Sequence, residues 1–379
     1  MTMNIKQERI STGFDGTTGY CYVHARAGIA PDGRMLMTTQ KLRLSGSDIF
    51  SGLEMCSRPS VDAPWSPITP CPALARRIFE GDMEIAMCDA TPLYHHATGK
   101  FLLLGHTVCY RNDNRISTPH PRFTAWSVFD EATGEWTPFD FLKMPEPFFK
   151  CGNGSGQSIE LPDGTLLIPA YAAVKDGIPV QSSDLSGSLV LHCAFDGASL
   201  KLLEYGNILE YASGRGLGEP SVIAHNGRYF MCLRNDATSF VTTSDDGLHY
   251  GTPREWLFDD GTPLGTYNTQ QHWFTMQGRL YLVYTRRGAN NDHVFRHRAP
   301  LFFAEVDMDA LRVIRSTEQI AVPERGARLG NFCCCQRNQD EAFVIAAEWM
   351  QTTAPNPYDF RRCMSFGSDN SIWVAKITP

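Results

Sequence analysis

The stretch GEPSVIAHNGRYFMCLRND (218–236) holds a carboxylate, Glu219, and a guanidinium, Arg234, at equal distances from the turn at Asn226-Gly227. Asn-Gly between two apolar runs supplies the positive φ angles of a tight hairpin turn, so a regular register sets the two charges opposite each other at the open end. Standing alone, such a pair is a solvated contact worth under about 1 kcal/mol. With other polar groups converging on it, the same pair becomes part of a ligand pocket.

Five more segments repeat the pattern of apolar run, polar turn and apolar run: HARAGIAPDGRMLMTTQK (24–41), DATPLYHHATGKFLLLGHT (89–107), SGQSIELPDGTLLIPAY (155–171), TQQHWFTMQGRLYLVYTRR (269–287) and GNFCCCQRNQDEAFVIAAEW (330–349). Counted outward from each turn, their open ends carry His24, Lys41 and Arg43; Asp89 and His106; Ser155 and Gln157; Asn268, Gln270, Gln271, His272, Arg286 and Arg287; and Asn331 and Glu348. The turn ends carry only the Asp, Asn, Gly and Gln that solvated turns favour. The polar loop TRRGANNDHVFRHRAP (285–300) starts at an open end and reads as a pocket wall.

These residues need elements that bring the open ends together. A third strand-like segment follows each hairpin, and the units recur at about 50 to 67 residues, the size of a propeller blade. The expected fold is an all-β, six-bladed β-propeller in one domain, 1–379, with blades near 24–69, 89–140, 155–206, 219–258, 269–317 and 330–379. The segment before residue 24 would supply the strand that closes the ring. Equivalent ends of the inner strands then meet at one mouth of the channel. A sandwich or solenoid could be built from similar hairpins, but neither calls for so even a repeat.

Net charge is −7, from 41 acidic and 34 basic residues, and no Lys/Arg run stands out. Nucleic acid is therefore not an expected partner, and no apolar run is long enough to cross a bilayer. Lys6, Glu8 and Arg9 occupy the place of a signal peptide's apolar stretch. The twelve cysteines are scattered without a C-x-x-C pair, so they read as small buried hydrophobes in a cytoplasmic protein with no metal site and no cofactor.

GNGSGQSIELPDGTLLIPAY (152–171) resembles the G-x-G-x-G-I-Q-L…G-R-L-x-x-P-A-Y stretch of the sialidase superfamily, and the hairpin at 218–236 resembles its glutamate…G-R…arginine segment. TSDDGLHY (243–250) matches that family's Asp-box through Thr243, Asp245, Gly247 and Tyr250. The resemblance implies that Glu219 is the base assisting the nucleophile and that Arg234 belongs to a triad gripping the substrate carboxylate. It places a second triad arginine at Arg298, with Arg296 as competitor, and the catalytic acid at Asp48 in SGSDIFSGLE (45–54). Two motifs depart from the family pattern: His24 stands at about the place of the first triad arginine, with Arg26 two residues on, and Asn331-Phe332 stands where the nucleophilic tyrosine belongs.

The reading that results is an exo-glycosidase for a small carbohydrate that can be acidic. Asp48 and Glu219 are the catalytic pair, and His24, Arg43, His106, Gln157, Arg234, Gln270, Gln271, His272, Arg287 and Arg298 bind substrate. Without the tyrosine, Glu219 would activate water and invert the anomeric centre, which needs a carboxyl separation of about 6.5–9.5 Å rather than about 5–5.5 Å. A lyase using His24, His106 or His272 with a tyrosine, and a non-catalytic glycan- or protein-binding propeller, are the alternatives. Alanine at Glu219 separates the last of these, since a binder keeps its affinity and has no turnover to lose.

Overall fold

Apolar runs separated by tight turns pair into six antiparallel sheets. The computed structural model describes residues 3–46, 48–116, 120–181, 183–353 and 355–379. The first sheet is built on Tyr20–Ile29, Met35–Arg43 and Phe50–Arg58, and the second on Met83–His95, Lys100–Arg111 and Thr124–Asp130. Leu166–Lys175 and Ser186–Phe195 centre the third, and Gly218–His225, Arg228–Arg234 and Ser239–Ser244 the fourth. His272–Met276, Arg279–Tyr284 and Leu301–Asp307 make the fifth. The sixth holds Cys333–Asn338, Glu341–Ala347 and Ile372–Thr378, and the N-terminal strand Asn4–Ile10 adds to its edge with Asn4 opposite Thr378 and Ile10 opposite Ile372.

Strand side chains alternate between faces, so each sheet presents apolar groups to both neighbours. Leu36 and Leu53 of the first sheet pack with Phe101 and Leu103 of the second, whereas Leu102 and Leu104 turn the other way onto Ile168 and Leu191 of the third. The pattern continues with Leu167 and Val190 against Met231, Phe230 and Val241 against Leu282, and Phe274 and Phe303 against Val344 and Trp373. Phe343 and Val374 return to Ile29 and Met37 of the first sheet. Six inter-sheet cores thus close a ring, and this is the all-β propeller arrangement. All the cysteines are free, and all except Cys335 are buried. Among the described residues no helix is long and apolar enough to cross a membrane.

The turn at 243–250 uses a frame one residue later than the motif suggests. Ser244 Oγ accepts from the Gly247 amide at 2.9 Å, and Asp246 Oδ1 accepts from the amides of Leu248 and His249 at 2.8 and 2.7 Å. Asp245 is exposed, while Tyr250 anchors the turn in the core. Asp246→Ala is expected to lower unfolding free energy by about 1–3 kcal/mol, and Asp245→Ala to change it by under about 0.5 kcal/mol, in urea titrations of the two variants.

Candidate active site

One residue within or just ahead of each sheet's inner strand has left-handed backbone: His24 (φ 54°), Asp89 (51°), Ser155 (60°), Glu219 (44°), Asn268 (52°) and Asn331 (67°). None is glycine, so each position carries a cost of order 1–3 kcal/mol that recurs around the ring. In three sheets the cause is visible as a break in pairing, between Val23 and Arg26, between Cys88 and Thr91, and between Gly218 and Ser221. Such bulges re-aim a side chain, here toward the channel mouth. The fourth sheet's bulge also corrects the regular register expected there, since Gly218 and not Glu219 lies opposite Arg234. The ion pair forms nonetheless, between Arg234 Nη1 and Glu219 Oε1.

A single polar network joins all six positions. Asp89 lies 3.3 Å from His24 Nε2, accepts from Ser155 Oγ at 2.8 Å and accepts from Asn331 Nδ2 at 3.1 Å. Arg298 donates to Asn331 Oδ1 at 3.1 Å and to the Asn268 carbonyl. Arg234 then links Asn268 to Glu219. Beneath the network, fully buried Arg26 donates to Ser155 Oγ at 2.9 Å and to Asp89 at 3.4 Å.

Above it opens a cavity of about 490 Å³, walled by residues of the first four sheets and of the segments flanking the strands of the fifth and sixth. Burial opposes ionisation of Asp89, but His24, His106, Arg26 and the Asn331 amide outweigh it and hold the carboxyl well below the usual range. Burial pushes His24 and His106 down to about 4 against the pull of Asp89, so both are neutral near pH 7. His106 Nε2 lies 3.5 Å from Asp89, which leaves Nδ1 to accept from the Tyr171 hydroxyl at 3.1 Å.

Cations crowd one side. Arg298 and Arg328 are 3% and 4% exposed, and among the described residues neither has a carboxylate within ion-pair distance. Arg328 lies 3.3 Å above the Trp349 ring instead. Burial lowers the Arg298 pKa well below its ordinary value, with Arg328, Arg234 and Arg296 adding repulsion. Burial likewise brings Arg328 to about 9, with Arg296 adding to it. An arginine stays protonated near neutrality, so this corner is arranged for an anion.

Of the residues singled out from the sequence, His24, Asp48, His106, Glu219, Arg234 and Arg298 line the cavity together. Asp48 sits at the rim, where Oδ2 accepts from Arg115 at 2.8 Å. Arg43, Gln157, Gln270, Gln271, His272 and Arg287 do not line it. Arg43 turns outward to Asp113, and Gln157 clasps the backbone of Trp273 across two sheets at 2.7 and 2.9 Å. Gln270 reaches the Phe332 carbonyl, and Gln271 bonds Ser239, Thr266 and the Thr269 carbonyl. His272 spans Ser221 Oγ and the Phe332 carbonyl at 2.9 and 3.0 Å, and Arg287 stacks over Tyr267. From the loop at 285–300, Arg296 and Arg298 reach the cavity, while Arg286 is tied to Glu318.

Sequence reasoning assigned no role to Arg26, Arg115, Arg122, Tyr171, Arg328 or Trp349. Tyr171 carried a usable signal, because it ends the P-A-Y of the 152–171 stretch. The glycines of that stretch give way to His106: a Cβ at Gly154 would fall 2.3 Å from His106 Nδ1. Gly330 does the same for Arg298, whose Cδ would lie 2.5 Å from a Cβ there.

No family model and no curated protein matches the sequence. Among solved structures, a protein of unknown function from Dyadobacter fermentans DSM 18053 aligns over 99% of both chains with a TM-score of 0.65 at 13% identity. Trypanosoma rangeli sialidase aligns over 98% of this chain and 59% of its own, with a TM-score of 0.60 at 14% identity. The endosialidase of phage phi92 aligns over 99% of this chain and 69% of its own, at 0.53 and 9%. At such identities the likeness is one of architecture: the chain has the all-β propeller fold found in sialidases.

Proposed function

We propose that the protein is a six-bladed, sialidase-like exo-glycosidase that removes a terminal acidic sugar from a small oligosaccharide or glycoside. The observation that carries this reading is the pair of buried arginines without an acid partner among the described residues, Arg298 and Arg328, in the cavity that also holds Glu219, Asp48 and Asp89. A sugar carboxylate between the guanidiniums supplies the missing counter-charge. Asp48 at the rim gives a proton to the departing oxygen. Glu219 Oε1 is fixed by Arg234 while Oε2 is buried without a partner, free to take a proton from water.

A uronate lyase is the second reading, favoured by the Tyr171–His106 contact, since a neutral imidazole paired with a phenol can move the proton α to a carboxylate. The test is a panel of 4-nitrophenyl uronides and a 4-methylumbelliferyl α-sialoside, set beside neutral aryl glycosides. The glycosidase reading expects release of the aryl group from an acidic member without an unsaturated product absorbing in the near ultraviolet. It expects Arg298→Met to cost about 10²- to 10³-fold in kcat/KM on that substrate, the loss of a charge-assisted contact to the carboxylate. Turnover confined to neutral glycosides would remove the acidic specificity.

A further inference from the structure

The corner formed by Arg298 and Arg328 does not account for all the positive charge at the cavity. Across the ring, where the second sheet meets the third, stand Arg115, Arg122 and Lys150. Arg122 lines the cavity and lies beside Lys150 in a backbone bridge. Its amide donates to the Phe149 carbonyl at 3.3 Å, and its own carbonyl accepts from the Cys151 amide at 2.8 Å. Among the described residues neither Arg122 nor Lys150 has a carboxylate within ion-pair distance, while Arg115 is held by Asp48 at 2.8 Å. We propose that Arg122, assisted by Lys150, forms a second anion subsite on the leaving-group side of the cavity. The preferred substrate is then an acidic sugar linked to a second unit that itself carries a carboxylate or sulfo group. This rests on the glycosidase reading above and adds to it the charge of the aglycone.

Arg122 is fixed in place before any ligand arrives. Its guanidinium lies 4.3 Å over the Tyr171 ring, and its stem passes Gly152, where a Cβ would fall 3.2 Å from Arg122 Cγ. The Nε donor is buried and has no acceptor among the described residues. A guanidinium N–H left dry costs free energy that an anionic acceptor recovers, and a planar fork suits a carboxylate or a sulfo group. Burial lowers Lys150 below the ordinary lysine value, and Arg122 and Arg115 add repulsion. Asp184, exposed at the cavity edge, offsets part of this from beyond ion-pair distance. A ligand anion between these cations relieves the rest.

Depth assigns the two anions to the two sites. Arg298 and Arg328 are almost wholly buried, so the sugar whose carboxylate they hold sits low in the cavity. Asp48, which protonates the departing oxygen, stands at the rim with its side chain 35% exposed, and its partner Arg115 is more exposed still. The unit beyond that oxygen therefore points to the Arg115 side. Arg115 and Arg122 both repel Lys150 and both bear on His106, as groups sharing one side of the cavity do. A neutral aglycone would leave the Arg122 Nε unpaired, whereas an anionic one takes its proton donors and draws added attraction from Lys150.

The experiment uses the full chain and whichever terminal acidic sugar it releases, presented on paired aglycones: 4-carboxyphenyl beside 4-carbamoylphenyl, and 4-sulfophenyl beside 4-sulfamoylphenyl. Each pair differs in charge and little in shape. The ratio of kcat/KM, anionic over neutral, is compared between wild type and variants, so that leaving-group reactivity cancels. Arg122→Met is expected to lower the ratio about ten- to a hundredfold, and Arg122→Lys to keep more of it. Lys150→Met should lower it about two- to fivefold. Added salt should lower the wild-type ratio, a measurement that needs no variant and so decides the matter even where Arg122→Met does not fold. The pair with the larger fall tells which anion the subsite takes. A ratio within twofold of wild type in folded Arg122→Met, or a wild-type ratio that salt does not move, overturns the subsite while the glycosidase reading stands. No release of an acidic sugar from any of these aglycones overturns both.

Discussion

Asp89→Ala is expected to destabilise the protein by about 3–5 kcal/mol, the cost of stripping a buried cation of its partner. Arg26 is fully buried, and among the described residues Asp89 is its carboxylate within ion-pair distance. The substitution also strands the Asn331 amide and the Ser155 hydroxyl, both donors to the same carboxylate. Asp89→Asn keeps an acceptor of the same shape and should lose less. Urea unfolding of the two variants measures the difference, and equal midpoints would mean that the charge contributes nothing.

Run against pH, the same titration reports the histidines around that carboxylate. His24 and His106 sit near 4 in the folded chain, below the ordinary histidine value of 6.5. The unfolded chain therefore binds more protons between those values, so stability is full above about pH 6.5 and falls as pH drops toward 4. The change should amount to a few kcal/mol for the pair, since each tenfold weakening of proton binding is about 1.4 kcal/mol. Asp89, held below its ordinary range, gives up its own contribution only at more acid pH.

Much of this site could be read from hairpin turns alone. Counting outward from six turns picks out His24, Asp89, Ser155, Glu219, Asn268 and Asn331, and each of these has left-handed backbone. The count succeeds because turn-to-mouth length is set by strand rise and repeats from sheet to sheet. It fails one or two residues further along. The ruler assumes strict alternation, whereas a bulge after His24 carries Arg26 inward, under Asp89. Gln270, Gln271 and His272 are polar and near an open end, but they lie past Asn268, inside the ring, where backbone carbonyls and buried hydroxyls take them up. Arg328 lies on the sixth hairpin outward of Asn331, beyond the last position the count used, where its bridge to Trp349 extends the pairing of Cys333–Asn338 with Glu341–Ala347.

Glu219→Gln is expected to lower kcat on an acidic aryl glycoside by about 10²- to 10⁴-fold while leaving KM within a few-fold. The amide has the shape of the carboxylate and still accepts from Arg234, so the clamp side of the site persists. What it loses is a basic oxygen: Oε2 is buried and lacks a partner among the described residues, in a side chain that lines the cavity. If Glu219 only anchors Arg234, the variant should instead shift KM and thermal midpoint and leave kcat near wild type. A loss of kcat with KM and thermal midpoint held would mark Glu219 as the base that takes the proton from water. The left-handed backbone at 219 would then have a chemical reason, since it turns a carboxylate out of the strand and toward the cavity.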